Sequence, residues 1–204
     1  RSPAADECPD GLGTVFVGSP VVIGDSVLAV SAEGTVHAVA LATGTPIWTS
    51  EAPGCDLVAR PHVAADGVTV GDGAEVLWTL SLADGSVVHR VELGEPVRAA
   101  VAADDGGGAV GTVDGVVGLD PDRRVRWRTD LPGAVDSSPV LVDGLVVVGS
   151  NDGRVYALDA PTGQVVSSVR TGGEVLSSPA VVDDTTVVVG SSDDALRALT
   201  DLRG

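Results

Sequence analysis

Arg60 and Arg98 are the residues whose type and spacing best suit them to chemistry. They interrupt a recurring segment that otherwise carries small residues. One aligned position reads Ser19, Arg60, Ala99, Ser138 and Ser178, and the position before it reads Gly18, Ala59, Arg98, Ser137 and Ser177. A guanidinium is a planar, permanently charged fork of donors that meets a carboxylate or phosphate with two parallel hydrogen bonds. Two of them in neighbouring repeats, opposite Asp136 and Asn151, describe a site for a small anionic ligand or a protein segment. Glu33, Asp72, Glu75, Asp114 and Asp152 form an acidic rim in the same reading. The alternative is that each arginine pairs with a rim carboxylate and has no ligand role.

Catalytic signatures do not accompany this pair. The sequence has no Gly-x-Ser-x-Gly elbow, no HExxH, no phosphate-binding lysine loop and no EF-hand loop. Gly106-Gly-Gly108-Ala-Val-Gly111 satisfies Gly-x-Gly-x-x-Gly by letter, but a dinucleotide site needs that run between a strand and a helix, and here it opens a strand. His37, His62 and His89 fall at different repeat positions, which indicates separate packing roles rather than a joint metal site. The expectation is a non-enzyme without metal or cofactor.

The elements that must position these residues are short strands. Ser19-Pro20, Arg60-Pro61, Ala99-Ala100, Ser138-Pro139 and Ser178-Pro179 place their second members 41, 39, 39 and 40 residues apart, a period typical of four-stranded propeller blades. The clearest unit begins at Asp136-Ser-Ser-Pro-Val-Leu-Val-Asp-Gly and continues through Leu145-Val-Val-Val-Gly-Ser, Arg154-Val-Tyr-Ala-Leu-Asp and Gln164-Val-Val-Ser-Ser-Val. Four β-branched runs (A to D) separated by Asp-Gly, Asn-Asp-Gly and Pro-Thr-Gly turns read as one antiparallel blade.

The turn between the third and fourth runs carries a family signature. Ala38-Val-Ala-Leu-Ala-Thr-Gly44-Thr-Pro-Ile-Trp48 and Ala157-Leu-Asp159-Ala-Pro-Thr-Gly163 resemble the Ala-x-Asp-x-x-x-Gly-x-x-x-Trp docking motif of pyrroloquinoline-quinone (PQQ)-like propeller repeats. The slot four residues after the glycine holds Trp48, His89, Trp127 and Ser167. The resemblance covers roughly residues 14–204. It implies an all-β propeller of five four-stranded blades at about 14–51, 56–93, 95–131, 134–171 and 174–204, in one domain spanning 1–204. It also implies that Trp48 and Trp127 lie flat between blades as packing residues. Quinone-dependent dehydrogenases of this family have an adjacent-cysteine pair and a calcium-bound carboxylate that are not recognisable here, so a dehydrogenase fragment ranks below a binding module.

Composition frames origin and partners. A formal charge of −17 speaks against nucleic acid, whose phosphates need clustered Lys and Arg. All 12 basic residues are arginine, and Ala, Gly, Val and Asp abound, which looks like a GC-rich genome; seven Glu favour an actinobacterium over a salt-loving archaeon. No apolar run is long enough to cross a bilayer, so membrane association is expected only through parts outside this chain. Cys8 and Cys55 both precede a first strand in loops expected on one face. A disulfide between them, implying an oxidising, extracellular compartment, is weighed against two separate thiols. Two non-enzymatic readings follow from the resemblance. One is the extracellular sensor of an actinobacterial membrane protein such as a Ser/Thr kinase; the other is a docking scaffold resembling the propeller lipoprotein of outer-membrane assembly.

The last unit stops at its third turn, so four fourth strands are expected for five blades. Part of residues 2–10 is predicted to supply the missing outer strand and close a five-bladed ring, despite Pro3 and Pro9; an open fragment of a larger ring is the alternative.

Overall fold

The computed structural model describes residues 16–32, 34–51, 60–64, 67–73 and 75–203. It is a succession of antiparallel meanders, with no helix among the described residues. The first sheet comprises β1 (Phe16–Ile23), β2 (Ser26–Ser31), β3 (Thr35–Ala40) and β4 (Pro46–Glu51); the second β5 (His62–Ala64), β6 (Gly67–Gly71), β7 (Val76–Leu80) and β8 (Val87–Glu92). The third holds β9 (Ala102–Asp104), β10 (Gly107–Gly111), β11 (Gly115–Leu119) and β12 (Val125–Asp130). The fourth holds β13 (Val140–Val142), β14 (Leu145–Ser150), β15 (Arg154–Asp159) and β16 (Val165–Arg170), and the fifth β17 (Ala180–Asp183), β18 (Thr186–Ser191) and β19 (Ala195–Leu199). Strand order follows chain order in each. Residues 1–97, with two sheets, and 98–204, with three, form separate compact units.

Local chemistry explains the meander. Strand interiors are Val-rich runs that pack well on a pleated surface, and tight turns separate them. At Asp143-Gly144 both residues have positive φ, 47° and 70°, the geometry of a two-residue turn whose twist matches the flanking strands β13 and β14. The cores are aliphatic, as the scarcity of aromatics requires. In the first unit Leu28, Val30, Val36, Val68, Val70 and Leu80 pack with Trp48 and Trp78; in the second, Ala109, Val116, Val146, Val148 and Leu158 pack with Tyr156.

A β-bulge recurs in the fourth strand of four sheets, leaving Ile47, Val88, Arg126 and Val166 as the extra residues. Each immediately precedes the slot read from sequence as the docking tryptophan. The slot residues behave accordingly: Trp48 Nε1 donates to Leu82 O at 2.9 Å, and Trp127 Nε1 donates to Ala160 O at 2.8 Å, each reaching the third turn of the next blade. The rings lie against the turn glycines. A Cβ on Gly85 would fall 2.6 Å from Trp48 Cε3, and one on Gly163 2.5 Å from Trp127 Cδ2. Ser167 keeps the hydrogen bond, donating to Leu202 O at 2.5 Å, without the ring. His89, in the remaining slot, has a buried Nε2 with no hydrogen-bond partner among the described residues.

The fifth sheet has three strands, with β19 at its edge. The N-terminal closing strand expected from residues 2–10, and the Cys8–Cys55 pair, lie outside the described residues.

Candidate functional site

Strand starts correct the register read from sequence. The inner strands begin at His62, Ala102, Val140 and Ala180. Counting back, Arg60 is equivalent to Ala100, Ser138 and Ser178, whereas Arg98 is equivalent to Asp136 and Leu176 rather than to Ser137. The third repeat has Val101 where its neighbours have Pro139 and Pro179, so sequence offered no anchor there. Hydrogen bonds confirm the shift: Ala100 N donates to Ser138 Oγ at 3.2 Å, and Ser138 N donates to Ser178 Oγ at 2.9 Å, a serine ladder running from blade to blade. The preceding serines lock first strand to second. Ser137 Oγ accepts from Gly149 N at 2.8 Å and donates to Gly149 O at 2.9 Å, and Ser177 does the same with Gly190. Ser-Ser-Pro is therefore structural.

Three of the four expected ligand-binding residues do come together. Arg98 Nε donates to Asp136 Oδ1 at 2.7 Å, and Asn151 Nδ2 donates to Asp136 Oδ2 at 2.7 Å. Arg98 thus pairs with Asp136, which sequence had grouped with it as a ligand-binding residue, rather than with a carboxylate of the rim. Burial pushes the Asp136 carboxyl up, but hydrogen bonds from Arg98 and Asn151 and the Arg98 charge outweigh it, so it ionises below the ordinary carboxylate range. Asn151 Oδ1 is buried without a hydrogen-bond partner among the described residues. Arg60 is exposed and belongs to the other compact unit.

A depressed folded-state pKa stabilises the protein above the unfolded carboxylate value, about 4, and that contribution is lost as pH falls through the folded value. Asp136→Asn is expected to flatten the acid limb of the stability curve below about pH 4. The Arg98 side chain is 46% exposed, so the pair should contribute only about 0.2–1 kcal/mol. Urea midpoints at successive pH values read this; identical limbs for variant and parent would contradict it.

The acidic rim is less free than sequence implied. Asp72 is fully buried, accepting from Val76 N at 2.7 Å and Trp78 Nε1 at 2.8 Å, so it is a structural residue. Asp152 accepts from Arg154 N at 3.0 Å and from the Tyr156 hydroxyl. Burial, then that carboxylate, push the Tyr156 phenol up to about 12, so it stays protonated at neutral pH. Glu75 and Asp114 are exposed; Glu33 lies outside the described residues. Sequence reading missed the corresponding pair in the last blade, where Arg197 bridges Asp193 and holds its carboxyl well below the usual range. The signal was there: Asp152 and Asp193 each precede their C-strand partner by four residues. Gly107–Gly111 is strand β10, paired on both sides. His37, His62 and His89 lie on β3, β5 and β8, as expected.

This succession of four-stranded and three-stranded antiparallel sheets is shared with known proteins. The family model described as outer membrane protein assembly factor BamB matches residues 11–105 and 112–204. The chain belongs to this family of PQQ-like repeats. BamB of Burkholderia pseudomallei (strain K96243) is 27% identical over 76% of this chain and 30% of its own length. BamB of Yersinia pestis is 26% identical over 83% of this chain and 49% of its own length. Among solved structures, BamB from Moraxella catarrhalis superposes with a TM-score of 0.77 at 19% identity, covering 98% of this chain and 61% of that one. The computationally designed Ika8 protein superposes at 0.81 and 19% identity, covering 94% and 60%. The fold is thus a β-propeller type, and this chain spans from under a third to about half the length of these two curated relatives.

Proposed function

We propose that this chain is a non-enzymatic docking scaffold of the cell envelope that presents blade-end surfaces to protein segments during outer-membrane protein assembly. The observation that carries the reading is the family match over nearly the whole chain, to relatives named as outer membrane protein assembly factors. The local chemistry is compatible. At the second unit's inner-strand entrances, Arg98 is tied to Asp136, while Leu176 at the equivalent position is 48% exposed, a mixed apolar and polar surface suited to a polypeptide.

The ligand-sensing ectodomain draws on one observation, the two arginines that depart from the repeat. It requires Arg98 to leave Asp136 for an anion. A photo-crosslinking residue at Leu176 is expected to capture an outer-membrane assembly component in cells, with Arg98→Ala changing the yield modestly. Capture of no such component, together with saturable binding of a small carboxylate or phosphate that is lost in Arg98→Ala, would replace the scaffold by the sensor. The variant should then lose about 1.5–3 kcal/mol of binding per charged hydrogen bond.

A further inference from the structure

A glycine recurs near the end of the second strands, and in three sheets a valine from the chain leading into a first strand plugs it. A Cβ on Gly71 would collide with Val97, one on Gly149 with Val175, and one on Gly111 would fall 2.6 Å from Val135 Cγ1. Val97, Val135 and Val175 are fully buried and stand five residues ahead of β9, β13 and β17. Gly190 holds the same place in β18, since Ser177 binds its N–H and C=O as Ser137 binds those of Gly149. Among the described residues it has no such plug: the three atoms nearest a Cβ there belong to Ser177 and Leu196 of its own repeat, none closer than 3.2 Å.

The surface around this notch is uncovered as well. In the fourth sheet Val147, Val155 and Ala157 are buried against Val187, Val189 and Leu199 of the fifth. The ladders put Val188, Leu196 and Ala198 at those positions in the fifth sheet. Leu196 is 80% exposed where Val155 is 3% exposed; Ala198 is exposed and Val188 half-buried. The fifth sheet therefore carries an apolar face of the kind that a neighbouring sheet covers in the fourth, with an open notch at Gly190.

The complementary half lies on the same chain. The face of the fourth sheet that meets the third consists of Val146, Val148, Tyr156 and Leu158, all buried. In the first sheet those positions are Val27, Ala29, His37 and Val39, each only half-buried. Phe16 stands on that face, 56% exposed and edge-on to His37 with ring centroids 5.4 Å apart. It lies three residues before Ser19, as Val135 and Val175 lie three before Ser138 and Ser178, so it has the chain position of the side chain that plugs a glycine. The occupant that the three filled sockets describe is a pleated sheet of this repeat led by a large apolar side chain. The first sheet of a second copy offers both.

We propose that the fifth sheet is a head-to-tail docking face for the first sheet of a second copy, with Phe16 of one copy seated over Gly190 of the other. The contact joins two different surfaces, so each pairing leaves one face of each kind open. It goes beyond the scaffold reading, which crosslinking at Leu176 tests independently. Copies of net charge −17 repel one another, and salt screens that repulsion, so the apolar contact gains from added salt. Sedimentation equilibrium of the full chain is expected to show association that rises with protein concentration and with added NaCl. Leu196→Glu and Phe16→Glu should each weaken it at least about tenfold, the loss expected when one large apolar contact gives way to a charge. Both positions are exposed, so the urea midpoint of each variant should stay near the parental value. A mixture of the two variants should form a one-to-one complex, because each keeps the face that the other has lost. A parent chain that is monomeric at every concentration and salt, or association that neither variant weakens, would overturn the proposal. A mixture no more associated than its separate components would overturn the head-to-tail arrangement and with it the assignment of Phe16 to Gly190.

Discussion

Trp48→Ala is expected to destabilise the first unit by about 3–5 kcal/mol, the usual loss for a buried large aromatic. Trp48 is only 9% exposed, donates to Leu82 O and covers Gly85, so truncation removes packing and a hydrogen bond together. Trp127 makes the same contacts to Ala160 and Gly163 but is less buried, so its truncation should fall at the low end of that range. The geometry predicts coupling as well as loss. Gly85→Ala drives a Cβ to 2.6 Å from the Trp48 ring and also strains a residue at φ 73°, so it should be strongly destabilising in the parent. In the Trp48→Ala background only the φ strain remains, and the penalty should shrink. Urea midpoints of the four proteins form the double-mutant cycle. Additive losses would mean that the ring does not dock on the turn.

Asp72→Ala should rank with it. The carboxylate is fully buried and accepts from Val76 N and Trp78 Nε1, closing the turn between β6 and β7. Removing it strands two buried donors at about 1–3 kcal/mol each, an expected total of about 2–5 kcal/mol. Asp72→Asn retains one acceptor oxygen and should lose less. Trp78 also lies 5.2 Å from the Arg90 guanidinium, so indole fluorescence offers a second readout of whether its ring has moved. An alanine variant with parental stability and fluorescence would show that Asp72 belongs to the solvated rim after all.

These two residues illustrate what each level of description carries. The blade architecture is legible in the residues alone because it rests on local, repeated chemistry. β-branched runs and positive-φ turns such as Asp143-Gly144 act within a few residues, and their spacing repeats at every blade. The docking tryptophans are legible for the same reason, since the slot lies a fixed four residues after the turn glycine. Burial of an individual carboxylate is not local. Asp72 and Asp114 both sit in turns between second and third strands, yet Asp72 is buried, with the Trp78 indole of β7 donating to its carboxylate, and Asp114 is exposed. The register of the candidate arginines was not legible for a related reason. Without a proline in the third repeat, the register of Arg98, four residues ahead of β9, was undetermined by one residue. Only the backbone ladder placed Arg98 level with Asp136 and Leu176, and only the packing of neighbouring blades joined Arg98 to Asp136. Repetition and turn chemistry along the chain therefore determined that this is a propeller of PQQ-like blades. That Arg98 is paired was decided by its contact with Asp136, 38 positions away, a distance across which local sequence carries no signal.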